Sequence, residues 1–118
     1  MNLTRGDVCL ARFLHDSGGR GKKRPVVVVQ DDIYNQKLRH VIVAEVTTNL
    51  ALASDPSWLF VNVKTPEGKA TGLLQDLVVS CLLLATVDTI RVAKVLGSLT
   101  VSMKLELDDC RKAALGLR

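Results

Sequence analysis

Four basic residues, Arg20, Lys22, Lys23 and Arg24, fall within five positions and are interleaved with Gly18, Gly19 and Gly21. Cations concentrated on such a segment suit phosphate groups, Arg through a planar two-pronged fork and Lys as a point charge. A solvated basic turn has the same composition, and the residue types alone leave both readings open. His15 and His40 are the only imidazoles, the side chains that titrate near neutral pH and so can move protons. His15 lies just ahead of the basic cluster, whereas His40, beside Arg39, reads as a surface or turn residue with at most a phosphate contact. Cys9, Cys81 and Cys110 are odd in number and widely spaced, which argues against a disulfide framework and a Cys-x-x-Cys zinc site. They read as small core residues. Gly18-Gly19-Arg20-Gly21 lacks the Gly-Lys-Ser/Thr ending of a phosphate loop and leads into a strand. Zinc-helix, Rossmann and serine-hydrolase motifs are also missing, so neither a cofactor nor a metal is implied.

These residues need a scaffold, and 118 residues suit one domain spanning 1–118. Hydrophobic residues at 47% and charged residues at 24% are the balance of a globular chain. Aromatic residues are only 3%, too few for a protein built on base-stacking platforms. The formal charge of +4 makes an anionic partner plausible without demanding one. The nearly apolar run Leu77 to Val87 is well short of the roughly 18 residues that span a bilayer, and no apolar segment follows Arg5. No membrane association is expected, and the expected compartment is the cytoplasm.

Asp7 to Phe13 alternates as a half-buried strand, while Pro25 to Gln30, with its continuous Val26 to Val29 run, reads as a central strand with Pro25 at its first position. Val41 to Val46 predicts a third strand, Trp58 to Val63 a fourth and Leu77 to Leu84 a fifth. Asp31 to Asn35, Ser54 to Ser57 and Pro66 to Gly68 read as turns. Asp88 can cap a short helix over Thr89 to Val95, stopped by Gly97, and Thr100 or Ser102 can cap a longer one running to Leu115. Met103, Leu107, Cys110, Ala114 and Leu117 would share that helix's apolar face. Five strands followed by helices predict a mainly β (α+β) fold, a small, partly closed antiparallel barrel carrying a C-terminal helix.

Several segments together resemble the MazF/PemK toxin family. Arg5-Gly6-Asp7-Val8 opens the first strand, Arg24-Pro25-Val26-Val27-Val28-Val29-Gln30-Asp31-Asp32 follows the basic loop, and Val41 to Asn49 is similar to the family's third strand with its Thr. Asp76 with Val78-Val79, Thr86-Val87-Asp88, Leu96-Gly97-Ser98-Leu99 and Ala113 to Leu117 continue the likeness in order across essentially the whole chain. The resemblance implies an SH3-like barrel toxin, a homodimer, that cuts single-stranded RNA at a short sequence without a metal and is neutralised by a MazE-like antitoxin. It implies that Arg24 is the catalytic Arg, stabilising charge on the phosphorane, and that Thr47 is the active-site hydroxyl. Arg20, Lys22, Lys23, Ser17, His15 and Asn49 are then the expected RNA contacts.

Two departures stand out. Ser17-Gly18-Gly19-Arg20 replaces the family's usual Gly-Ser-Glu-Gln, and Leu83-Leu84-Ala85 stands where Gln-Ile-Arg is common, which leaves altered specificity or weakened activity open. Two alternatives follow: a catalytically weakened relative that binds RNA or antitoxin, and a protein-binding toxin of the same barrel class, like the gyrase poison CcdB. The latter looks to end in a Trp-containing tail, whereas this chain ends Gly116-Leu117-Arg118.

Overall fold

The computed structural model describes residues 2–13 and 22–117. Six strands, β1 (Asp7–Arg12), β2 (Lys23–Val28), β3 (His40–Thr47), β4 (Trp58–Val61), β5 (Leu77–Asp88) and β6 (Val92–Ser98), form one sheet in the order β4-β5-β3-β2-β1-β6. Every neighbouring pair is antiparallel. The helices are α1 (Asp32–Asn35), α2 (Pro66–Ala70) and α3 (Val101–Leu115). None of the described helices is long and apolar enough to cross a membrane.

β-branched residues dominate the strands because they pack well on a pleated surface. Val27 pairs with Val8 on one side and Ala44 on the other, and these three join a core with Leu59, Val79 and the Met103–Leu107–Cys110 face of α3. Residues of opposite parity, Cys9, Ala11, Val26, Val28 and Val43 among them, form a second core cluster with Val92. Each fully buried Val contributes about 1.5 kcal/mol or more. β1 is therefore not half-buried as its alternation suggests, since Val8, Cys9 and Ala11 are all fully enclosed. Pro25 is the third residue of β2 and not its first. It is tolerated there because pairing with β3 begins only at Val26, leaving that end of β2 open on one side.

The largest difference lies after β5. Asp88 does cap a turn, accepting from the Ile90 N–H, but the turn is a 3-10 one over Thr89–Arg91, and β6 follows where a helix was expected. β6 pairs with β1, so the free edge of a strand more than eighty positions earlier decides the conformation of Val92–Ser98. Gly97 is no helix stop. A Cβ on it would stand 2.2 Å from the Ala70 carbonyl oxygen, so its glycine permits α2 to lie against β6.

Two expected turns are short helices instead: Asp31 caps α1 and Thr65 caps α2, with Pro66 at the start of the latter. β4 ends at Val61, two residues earlier than its pattern implies, and β5 runs on to Asp88. α3 is capped by Thr100, whose hydroxyl oxygen accepts from the Met103 N–H (3.3 Å), and it ends at Gly116 with φ 70°. Leu117, expected on the apolar face, lies past that stop and is exposed.

Candidate active-site groove

The ends of β2 and β3 that carry Arg24 and Thr47 lie together. Val26 pairs with Glu45 and Val27 with Ala44, so continuing that register sets Arg24 opposite Thr47. Both residues line a groove of about 570 Å³. Arg24 is exposed, and among the described residues its guanidinium has neither a hydrogen bond nor an ion pair. Its backbone is held by pairing with Ala11 of β1. Standing before Pro25, it is restricted to an extended conformation, so the side chain leaves a fixed strand.

The Thr47 hydroxyl oxygen accepts from the Asn49 N–H (3.1 Å), a local turn that orients the side chain while leaving its O–H free to donate. Asn49 is exposed, its side-chain oxygen accepts from the Ala51 N–H (3.0 Å), and it does not line the groove. Lys22 and Lys23 are exposed on the approach to Arg24 but also stand outside the groove lining. His15, Ser17 and Arg20 lie outside the described residues. His40 begins β3, at the end opposite Thr47, and is exposed.

The opposite wall was not legible in the residue pattern. It consists of Leu73, Leu74, Gln75 and Leu77, with Val46 and Leu96 adding apolar surface. Gly72, at φ 75°, brings this wall in: a Cβ there would stand 2.2 Å from the Leu96 carbonyl oxygen. The buried Thr71 hydroxyl braces it by donating to the Gly68 carbonyl (2.6 Å) and accepting from the Leu73 N–H (3.2 Å). Asp76 then anchors the start of β5 by accepting from the Val63 N–H (3.0 Å). Adjacent leucines in a short link between a glycine and an acidic anchor were the available signal.

The departure at 83–85 lies elsewhere. Ser80 pairs with Glu45 and Leu84 with the adjacent Ala44, so Cys81, Leu82 and Leu83 bulge from the ladder. Leu84 packs on one core cluster and Ala85 on the other, and neither they nor Leu83 reach the groove.

The chain matches the model of the PemK-like, MazF-like toxin of type II toxin–antitoxin systems over residues 4–113. It belongs to that family. Among its relatives, the endoribonuclease MazF6 of Mycobacterium tuberculosis is 32% identical over 119 residues, covering 99% of this chain and 100% of the relative. The endoribonuclease MazF of Staphylococcus epidermidis is 33% identical over 116 residues, covering 98% and 92%. A mycobacterial endoribonuclease solved in complex with its cognate antitoxin shares the fold, with a TM-score of 0.77 at 20% identity over 98% of this chain and 97% of that one.

Within this MazF-like chain the thiols take no part in the groove. Burial pushes Cys9 up to about 12, helped by Asp7, and pushes Cys81 up to about 11; Cys110 is raised for the same reason. All three are protonated at neutral pH and packed in the core, as the sequence suggested, so they are inert as nucleophiles.

Proposed function

We propose that this MazF-like toxin is an endoribonuclease that cleaves single-stranded RNA without a metal, acting in the cytoplasm as a single-domain homodimer neutralised by a MazE-like antitoxin. The observation that carries the reading is an arginine with no partner among the described residues and a strand-end hydroxyl in one groove. On this reading the six-stranded sheet is the SH3-like barrel of the family.

Metal-free cleavage takes its nucleophile from the substrate. The 2′-hydroxyl gives its proton to solvent as its oxygen attacks the adjacent phosphorus, and a phosphorane forms with one additional negative charge. The P–O5′ bond then breaks as the 5′-oxygen takes a proton from solvent, giving a 2′,3′-cyclic phosphate and a 5′-hydroxyl. Arg24 is suited to the middle step because a permanent planar cation can hold two phosphoryl oxygens as their charge grows. A guanidinium keeps its proton and is a poor base, so the role of Arg24 is charge stabilisation. The Thr47 O–H donates to a phosphate or ribose oxygen beside it. Lys22 and Lys23, with Arg20, gather RNA by long-range attraction, and Ser17, His15 and Asn49 complete the proposed contacts. The placement of Leu84 and Ala85 in core clusters away from the groove supports an active enzyme despite the altered 83–85 segment.

The test is incubation of the purified protein with a single-stranded RNA pool in EDTA. Discrete cuts bearing cyclic phosphate ends are expected. An intact pool would favour the non-catalytic relative, and cutting only when a divalent ion is restored would overturn the metal-free mechanism.

A further inference from the structure

Arg24 and Thr47 account for one side of the groove only. The other side is apolar and ends in a polar tip: Leu73, Leu74 and Leu77 form the wall, and Gln75 stands at its rim. Leu74 is 94% exposed, the most open large apolar side chain among the described residues. It sits on a segment that Gly72 presses against β6 and Thr71 braces, so the chain holds this leucine in solvent instead of folding it away. The Gln75 amide makes no hydrogen bond among the described residues, leaving donors and acceptor available.

We propose that this wall is a base-recognition subsite, in which one unpaired nucleobase next to the scissile phosphate lies against Leu73 and Leu74 while the Gln75 amide reads its edge. The inference rests on the RNA-cleaving reading of the groove. Three features select this occupant. A nucleobase presents a flat apolar face and a rim of donors and acceptors, which matches leucines beside a free amide. A side-chain amide donates and accepts at once, so it can hold a base edge by two bonds and discriminate among bases. The wall also continues directly into the phosphate-directed Arg24, and about 570 Å³ is within the range of pockets that hold nucleotide-sized ligands. With no aromatic ring in the lining, specificity here comes from edge reading more than from stacking.

The experiment compares wild type, Gln75→Ala, Gln75→Glu and Leu74→Ser on two pools. One is a randomised single-stranded RNA, read by sequencing the cut ends. The other is the same pool in 2′-deoxy form, which cannot supply the nucleophile, read by sequencing the bound fraction. Gln75 is exposed, and thermal melts of the variants check that the fold is kept. Gln75→Ala is expected to flatten the base preference at one position beside the cut by roughly 10-fold in both pools. Gln75→Glu, left only with acceptors, shifts that position toward bases presenting an amino group, guanine, cytosine or adenine, and away from uracil. Leu74→Ser weakens binding several-fold without reordering the bases. Identical base profiles for wild type and Gln75→Ala overturn the subsite, and this is also the result if the wall receives an apolar side chain of a protein partner. A preference in the deoxy pool that depends on Gln75, together with no cutting of RNA by wild type, would retain the subsite and remove the cleavage reading.

Discussion

Arg5 and Arg24 stand at comparable places, each beside the start of a strand, and are used in opposite ways. Arg5 lies just ahead of β1; its N–H donates to Asp32 Oδ1 (2.7 Å) and its guanidinium is bound by Asp108 of α3. Arg24 is the second residue of β2 and, among the described residues, its guanidinium has no partner while it faces a groove. One cation ties the N-terminal segment to the helix, and the other is held ready by a backbone that its own side chain does not help to fix. Net charge does not separate the two. Pairing does, because an internal carboxylate satisfies a guanidinium that would otherwise be available to a phosphate.

The sharpest way to break this comparison is Arg24→Ala. Losing one preorganised donor to the phosphorane is expected to slow single-turnover RNA cleavage by roughly 100- to 1000-fold. Stability should change by no more than about 0.5 kcal/mol, since the side chain has no hydrogen bond or ion pair among the described residues. Arg24→Lys should restore little, because a point charge does not reproduce the fork. Near-normal cleavage by a folded Arg24→Ala protein would show that Arg24 is merely a surface charge.

Arg5→Ala is the mirror experiment, with a smaller effect on the other observable. The Arg5 and Asp108 side chains are each 28% exposed, so solvent screens their attraction and a loss of about 0.5–1 kcal/mol is expected. Arg111, 3.8 Å from the same carboxylate, prevents Asp108 from being stranded and keeps the cost at that level. Cleavage should be unaffected. Denaturant midpoints in a cycle with Asp108→Ala would measure the coupling, and a coupling of zero would make Arg5 as idle structurally as Arg24 is.

The two arginines also mark how far the sequence could be read. Val26 to Val29, Val41 to Val46 and the Thr100 cap are local signals, and each produced its element because β-branched runs and capping hydroxyls act within a few residues. β6 was missed because its conformation comes from the edge of β1, which a window over Val92–Ser98 does not contain. Arg24 and Thr47 were singled out through the family resemblance, and both line one groove. Leu73, Leu74 and Gln75 were not. Their place in the groove depends on Gly72 meeting Leu96 across the molecule, a contact without a periodic or spacing signature.

The smallest expected effect concerns the paired end of the comparison and its response to acid. Asp32 is held below the usual carboxylate range, first by the Arg5 N–H and then by the Asn35 side-chain amide, whose donor lies 3.1 Å from Oδ1. A carboxylate lowered in the folded state stabilises the fold while it is ionised. That contribution is complete above the unfolded value, about pH 4, and disappears as pH falls through the lower folded value. Asp32→Asn retains a side-chain oxygen for the Arg5 N–H but never carries the charge, so it isolates the ionic part. Wild type should therefore be the more stable protein at pH 7, and the gap between the two denaturation midpoints should stay constant down to about pH 4 and close below it. A gap that persists unchanged to pH 2 would mean that the Asp32 charge contributes nothing to holding Arg5, leaving that role to the guanidinium pair with Asp108.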